Sequence, residues 1–197
     1  TSVADLFYQI LDLNGIPVAS IGTLGFKFKK KIIKTNLTSP DTISFHQILS
    51  KIKRNKIDNV IIEASSHGLD QNRIDHLNIK AGIFTNFSRD HLDYHKSMQS
   101  YLNSKLILFK KILKKKRTII SDKNIKEFLI LKRIAKVRRL HLIDINKIRK
   151  KLQNYKLSTF QKNNLSMAIA AAKLCNLNEK KIFNSLKKIK DVPGRLE

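Results

Sequence analysis

The chain has 197 residues, of which 42% are hydrophobic, and a formal net charge of +25. That length suits one sizeable domain, or one plus a small appendage. It has a single cysteine, Cys175, which excludes an internal disulfide framework, and no apolar stretch approaches the roughly 18–20 residues of a membrane span. Thr1 leads straight into an amphipathic segment with an early acid, Asp5, so no signal peptide is expected. The charge has two readings: attraction to a polyanion, or lysine-rich composition drift on solvated faces. Lysine far outnumbers arginine, and few aromatics interleave with the clusters Lys27–Lys34, Lys110–Arg117 and Lys147–Lys151. This pattern disfavours a nucleic-acid surface, which leans on Arg forks and stacking rings.

In chain order, TSVADLFYQILDL has helical spacing and is closed by Asn14-Gly15. IPVASIGT reads as a short buried strand, and Lys27 to Thr38 as a surface excursion. Ser39-Pro40-Asp41 opens a second helix, TISFHQILSKIKRN. IDNVIIEAS, AGIFTN and RTIISD are β-branched runs of strand length. MQSYLNSKLILFKKIL, NIKEFLILKRIAK, FQKNNLSMAIAAAKLCNL and NEKKIFNSLKKIK read as helices, while Asp144 to Lys156 is polar and unassigned. Strands alternating with helices predict an α/β fold with a mostly parallel sheet flanked by helices. Ligands in such sheets sit beyond the carboxyl ends of the strands. VIIEASSHGLDQNR and IFTNFSRDHLDYH both become polar where a strand ends.

Glu63 directly follows NVII. It is either a hard oxygen ligand of the type Mg²⁺ favours or a strand-end acid reaching solvent. Ser65, Ser66 and His67 bring a nucleophilic serine to mind, but the G-x-S-x-G elbow is absent. A polar loop that hydrogen-bonds a ligand fits better, extended by Gln71 and by Arg73, whose fork suits phosphate or carboxylate. His91 and His95 stand at i, i+4 without the H-E-x-x-H pattern of a zinc helix. Thr1-Ser2 is an N-cap, or the hydroxyl that follows the lysine of a P-loop.

Together these pieces resemble the Mur ligases, the ATP-dependent amide-forming enzymes of peptidoglycan precursor synthesis. The likeness rests on TS at the start, TSPD at Thr38–Asp41, EASSHGLDQNR at Glu63–Arg73, TNFSRDHLDYH at Thr85–His95, YLNSK at Tyr101–Lys105, FQKNN at Phe160–Asn164 and PGRLE at Pro193–Glu197. It covers nearly the whole chain, as the central ATP-binding domain with its P-loop-type sheet. The branch it suggests extends UDP-N-acetylmuramoyl-L-alanyl-D-glutamate by an amino acid, with meso-diaminopimelate expected. A folylpolyglutamate synthase-like ligase of the same superfamily and a basic nucleic-acid-binding module are the alternatives.

The resemblance implies roles. Thr1 matches the Walker hydroxyl, with the glycine-rich loop and its lysine lacking ahead of it. Glu63 and His91 match metal-binding positions, and Lys105 matches the lysine that is carbamylated in these ligases. A carbamate would be an anionic oxygen ligand, where an ammonium would repel Mg²⁺. Lys105 and His91 are thus the expected catalytic residues. Thr38, Ser39, Ser65, Gln71 and Arg73 match positions that hold the UDP-muramoyl dipeptide, and Asn86, Asn164 and Thr1 positions at ATP. Expected partners are that dipeptide, ATP, Mg²⁺ and an amino-acid acceptor, with a monomeric, cytoplasmic protein, no membrane and no nucleic acid. The family's uridine-binding and amino-acid-selecting domains are expected to be absent from this chain, which alone should lack ligase activity. TSPD stands where TTPD is usual, and Gln161 where many members have Asn.

Overall fold

The computed structural model describes residues 1–35 and 37–194, so Arg195 to Glu197 of the PGRLE motif lie outside the described residues. The chain forms two units, one made of 1–64 and 158–197, the other of 65–157.

In the first unit, α1 (Ser2–Leu13) packs on α8 (Thr159–Lys173) and on β1 (Val18–Gly22). Its apolar face, with Phe7, Ile10 and Leu11 fully or nearly fully buried, realises the helical spacing of the sequence. The buried residues of α8 include Leu165, Ala168, Ile169 and Ala172. Gln161 completes a capping box: its side chain accepts from Ser158 N at 2.8 Å while Ser158 Oγ accepts from Gln161 N at 3.2 Å. α9 (Glu179–Ser185) follows.

β1 lies between β2 (Gly25–Phe28), antiparallel, and β4 (Asn59–Ile62), parallel, and β3 (Lys31–Ile33) adds to the β2 edge. The lysine-rich excursion expected from Lys27 is therefore largely a hairpin. Phe26 and Phe28 alternate with Lys27, their rings stack at 4.6 Å and both are buried, while Lys27 takes the other face. Lys27 Nζ is tied to buried Asp5 at 2.9 Å and lies 4.3 Å from the centre of the Tyr8 ring. Charge density hid the period-2 pattern. α2 (Thr42–Arg54) is capped by Asp41, whose carboxylate accepts from Ser44 N at 3.0 Å.

In the second unit, α3 (Ser66–Asp70) precedes an all-parallel sheet ordered β5 (Ala81–Ile83), β6 (Thr118–Ser121), β7 (His141–Asp144). α4 (Leu92–His95) and α5 (Met98–Ile107) follow β5, α6 (Phe128–Arg138) joins β6 to β7, and α7 (Asn146–Lys151) falls in the stretch left unassigned from sequence. HLID at β7 was missed because it is only four residues long and opens on an exposed His. Of the five strand pairings among the described residues three are parallel, matching the α/β fold expected. β4 and β5 belong to different sheets.

α5 widens into a π-helical turn at Leu108–Ile112. Leu108, Phe109 and Leu113 press on Gly82 of β5, where any Cβ would sit 2.9–3.2 Å from their side chains. Gly82 thus lets this turn, and with it the α5 face bearing Lys105, approach the sheet backbone.

Candidate active site

The first unit gathers oxygen donors at the carboxyl ends of β1 and β4. Their parallel register pairs Ile21 with Ile62, and Glu63 N donates to Ile21 O at 2.8 Å. The strands therefore end together, with Gly22-Thr23 on one and Glu63 on the other. The Glu63 carboxylate accepts from Thr23 N at 3.1 Å, Thr23 Oγ1 at 2.9 Å and Thr1 Oγ1 at 3.1 Å. Thr23 Oγ1 also lies 3.3 Å from Thr38 Oγ1. Ser39, fully buried, donates its hydroxyl to Glu63 O at 2.8 Å and so fixes the turn after β4. Thr1, Thr38, Ser39 and Glu63, singled out separately in the sequence, converge here. Thr23 is an addition; its signal was a hydroxyl next to Gly at the end of a buried strand.

Gly22 has a steric role. A Cβ there would run into the Glu63 carboxylate, so the bare strand end is what allows Glu63 to fold across it. Gly22→Ala should keep the fold and turn Glu63 away. It should weaken Mg²⁺–nucleotide binding about tenfold or more, as loss of a ligand-orienting neighbour commonly does. Titration calorimetry, with circular dichroism to check folding, measures this.

Asn164 is buried on α8 in the same unit. Asn86 is exposed in the second unit, where its Oδ1 accepts from Thr85 Oγ1 at 3.2 Å.

The second unit builds an imidazole–phenol cluster. His91 sits at the N-cap of α4 in the left-handed region, φ 54°, held by its backbone N–H donating to Asp90 Oδ1 at 2.8 Å. The His91 ring meets His67 edge-on at 5.1 Å and Tyr101 at 5.6 Å. Lys105 Nζ lies 5.1 Å from the centre of the same Tyr101 ring. Tyr101 therefore carries both expected catalytic residues, His91 and Lys105. Burial pushes the Lys105 ammonium below the usual lysine range, partly offset by the Asp90 charge. A lysine eased toward its neutral amine is the form that takes up CO₂.

His95 is different. It is buried, stacked on Tyr101 at 5.2 Å, and its Nε2 is 2.9 Å from Ser66 Oγ. Desolvation holds its pKa below the ordinary histidine value, helped by His67, so the ring stays neutral and serves packing. Ser65 caps α3 by accepting from Gly68 N at 3.1 Å. Gln71 and Arg73 follow α3, with the Arg73 guanidinium donating to Gln71 Oε1.

Among the described residues no three His, Cys, Asp or Glu side chains form a metal-binding group. The donor set in the first unit nevertheless fits Mg²⁺: one carboxylate ringed by hydroxyls, all hard oxygen, with coordination left for water and phosphate. In the second unit, His91 and Lys105 fit a cation only with Lys105 as an anion.

A family model described as the Mur ligase middle domain matches residues 1–186. The whole chain is 34% identical to the UDP-N-acetylmuramoyl-L-alanyl-D-glutamate–2,6-diaminopimelate ligase of Rickettsia bellii (strain RML369-C), covering 48% of that protein. The matched stretch runs to 227 positions against the 197 residues here, so the relative carries insertions. A 109-residue stretch, 55% of this chain and 22% of the relative, is 50% identical to the ligase of the same name from Zymomonas mobilis subsp. mobilis (strain ATCC 31821 / ZM4 / CP4). A solved structure of a ligase with that name matches with a TM-score of 0.81 at 20% identity, covering all of this chain and 46% of the other, a likeness of fold. The chain spans about half the length of the curated relatives it matches end to end.

Proposed function

The chain belongs to the Mur ligase family, whose middle domain it carries, and from that premise we propose that it serves ATP-dependent amide formation on UDP-N-acetylmuramoyl-L-Ala-D-Glu in peptidoglycan precursor synthesis. The acceptor amine is 2,6-diaminopimelate, as the names of its relatives suggest. The observation that carries this reading is the Glu63 carboxylate, gathered with Thr1 and Thr23 oxygens at the paired ends of β1 and β4.

In this reading the free carboxylate of the dipeptide attacks the γ-phosphorus of ATP and releases ADP. The amine then attacks the acyl phosphate, and the tetrahedral adduct collapses to amide and phosphate. Arg73 and Gln71 orient the dipeptide, with Thr38 and Ser65 adding hydroxyl contacts and Ser39 acting through the Glu63 carbonyl it holds. Asn86 and Asn164 contact the nucleotide. Thr1 and Glu63 in the first unit would hold Mg²⁺, and so, each unit by itself, would His91 and carbamylated Lys105 in the second; bound Mg²⁺ would neutralise phosphate charge and polarise the transferred group. The substrates place the reaction in the cytoplasm; no described helix is long and apolar enough to cross a membrane. The domain works beside a phosphate loop, a uridine-binding domain and an amino-acid-selecting domain, as in family members of full length.

UDP-muramoyl dipeptide should raise the melting temperature of the chain, whereas folate and duplex DNA at matched concentration and physiological salt should not. Stabilisation by folate alone would favour the folylpolyglutamate-type reading. Salt-sensitive stabilisation by DNA alone would favour a nucleic-acid module.

A further inference from the structure

A single carboxylate in the second unit, Asp70, joins three segments that the reading above treats as working parts. Tyr94 of α4 donates its hydroxyl to Asp70 Oδ2 at 3.0 Å. Ser104 of α5, buried and adjacent to Lys105, reaches Asp70 Oδ1 at 3.2 Å, with Ser100 O at 3.2 Å as a second acceptor for the same proton. The Tyr94 oxygen in turn accepts from Gln71 Nε2 at 3.2 Å, and Gln71 Oε1 accepts from Arg73. On the other side, Ser104 Oγ lies 3.5 Å from His95 Nδ1, and His95 Nε2 lies 2.9 Å from Ser66 Oγ.

Chemistry orders the protons along this chain. Arg73 can only donate, so Gln71 must present its carbonyl to Arg73 and its amide to Tyr94. The Tyr94 oxygen accepts from Gln71, so Tyr94 gives its own proton to the Asp70 carboxylate. Ser104 gives its single proton to Asp70 Oδ1 or to Ser100 O, and with that proton committed it is left to accept, which puts the proton of His95 on Nδ1 and makes Nε2 the acceptor for Ser66. The donors run from Arg73 to Asp70 on one arm and from Ser66 to Ser104 on the other.

We propose that Asp70 and Tyr94 are positioning residues of this ligase domain. Asp70 is the common acceptor that holds the dipeptide-orienting Gln71–Arg73 segment, the α4 turn behind His91 and the α5 face bearing Lys105 in one register. This rests on the functional reading above for what those segments do, and on the hydrogen-bond geometry alone for how they are joined. His67 packs on the same turn, 4.2 Å from Tyr94 and 5.1 Å from His91 between ring centres, so a shift of Tyr94 reaches the His91 ring.

Long-range ¹H–¹⁵N spectra of the ¹⁵N-histidine-labelled chain, with calorimetric titration of UDP-muramoyl dipeptide, test this. The wild-type His95 should be a single neutral tautomer protonated at Nδ1. Ser104→Ala removes the acceptor facing His95 Nδ1 and should give a mixture of tautomers, whereas Asp70→Ala leaves Ser104 its Ser100 O acceptor, so it should keep the tautomer and weaken dipeptide binding; two variants keep the test open if one fails to fold. Tyr94→Phe fills the same space and spares the His95 arm. It should leave the histidine spectrum and the urea midpoint near wild type, yet weaken dipeptide binding roughly ten- to a hundredfold, the range for residues that orient a ligand-binding neighbour. An unchanged His95 tautomer in folded Ser104→Ala, or dipeptide binding by Tyr94→Phe or by folded Asp70→Ala equal to wild type, would overturn the proposal. Failure of the wild-type chain to bind the dipeptide, with the histidine spectra as expected, would instead sink the functional reading and leave the network standing.

Discussion

Replacing Glu63 with Ala is expected to cut Mg²⁺-dependent turnover of ATP by on the order of 10²–10³, the several kcal/mol that a metal clamp contributes to transition-state charge. The measurement is steady-state phosphate release by a ligase that carries this domain behind its glycine-rich phosphate loop. The large effect follows from convergence. The Glu63 carboxylate draws in both Thr1 and Thr23, so removing it takes the acceptor from the Thr23 N–H and leaves the Thr23 hydroxyl to Thr38 Oγ1. Glu63→Gln, which keeps the shape, should retain the fold and most of the packing but recover little turnover, because a neutral amide is a poor Mg²⁺ ligand. Near-normal turnover in Glu63→Ala would remove the observation on which the functional reading stands.

Lys105→Met is expected to have two opposite effects. Activity should be lost, since no carbamate can form, whereas stability at neutral pH should rise. Burial lowers the Lys105 pKa below its ordinary 10.5, so the unfolded chain binds this proton more tightly than the folded one. The lysine therefore costs stability below its folded-state pKa. That cost fades as pH rises through the folded value and is gone above about 10.5. Urea unfolding of wild type and variant, both freed of CO₂ so that Lys105 is the unmodified amine, should show a gap that is widest near neutral pH and closes toward alkaline pH. A carbonyl ¹³C signal from labelled bicarbonate, present in wild type and absent in Lys105→Met, is the direct sign of the modification. A variant that is destabilised at neutral pH and active would contradict both halves. Loss of activity together with a gain in stability would be function held at the expense of stability.

The helices with a full apolar stripe were legible from sequence. α1 and α2 begin and end within a residue or so of their expected places, because periodicity and the Asp41 cap act locally. β4 and the acid after it were legible for the same reason. The β2–β3 hairpin was not, since its lysines dominate the composition while only Phe26 and Phe28 carry the pattern of burial. The π-helical turn was invisible: Leu108 to Ile112 reads as ordinary helix, and only the closeness of Gly82 to Phe109 explains the widening.

The candidate site divides along the same line. Glu63 and the hydroxyl of Thr1 were legible by type and place, and Thr38 only through the family motif. Thr23 was not, because its importance depends on the register that brings Gly22 beside Glu63. His91 and Lys105 could be singled out by motif, but their shared seat on Tyr101 could not. Asp70 and Tyr94 lie 24 positions apart, and nothing in either local pattern announces that one accepts from the other.

The most direct test of the whole account follows one oxygen atom. With ¹⁸O in the free carboxylate of UDP-muramoyl-L-Ala-D-Glu, and ATP, Mg²⁺ and diaminopimelate supplied to a ligase carrying this domain, inorganic phosphate should gain a single ¹⁸O for each amide formed. Amide formation with all of the label left in the muramyl peptide would contradict carboxylate activation through an acyl phosphate.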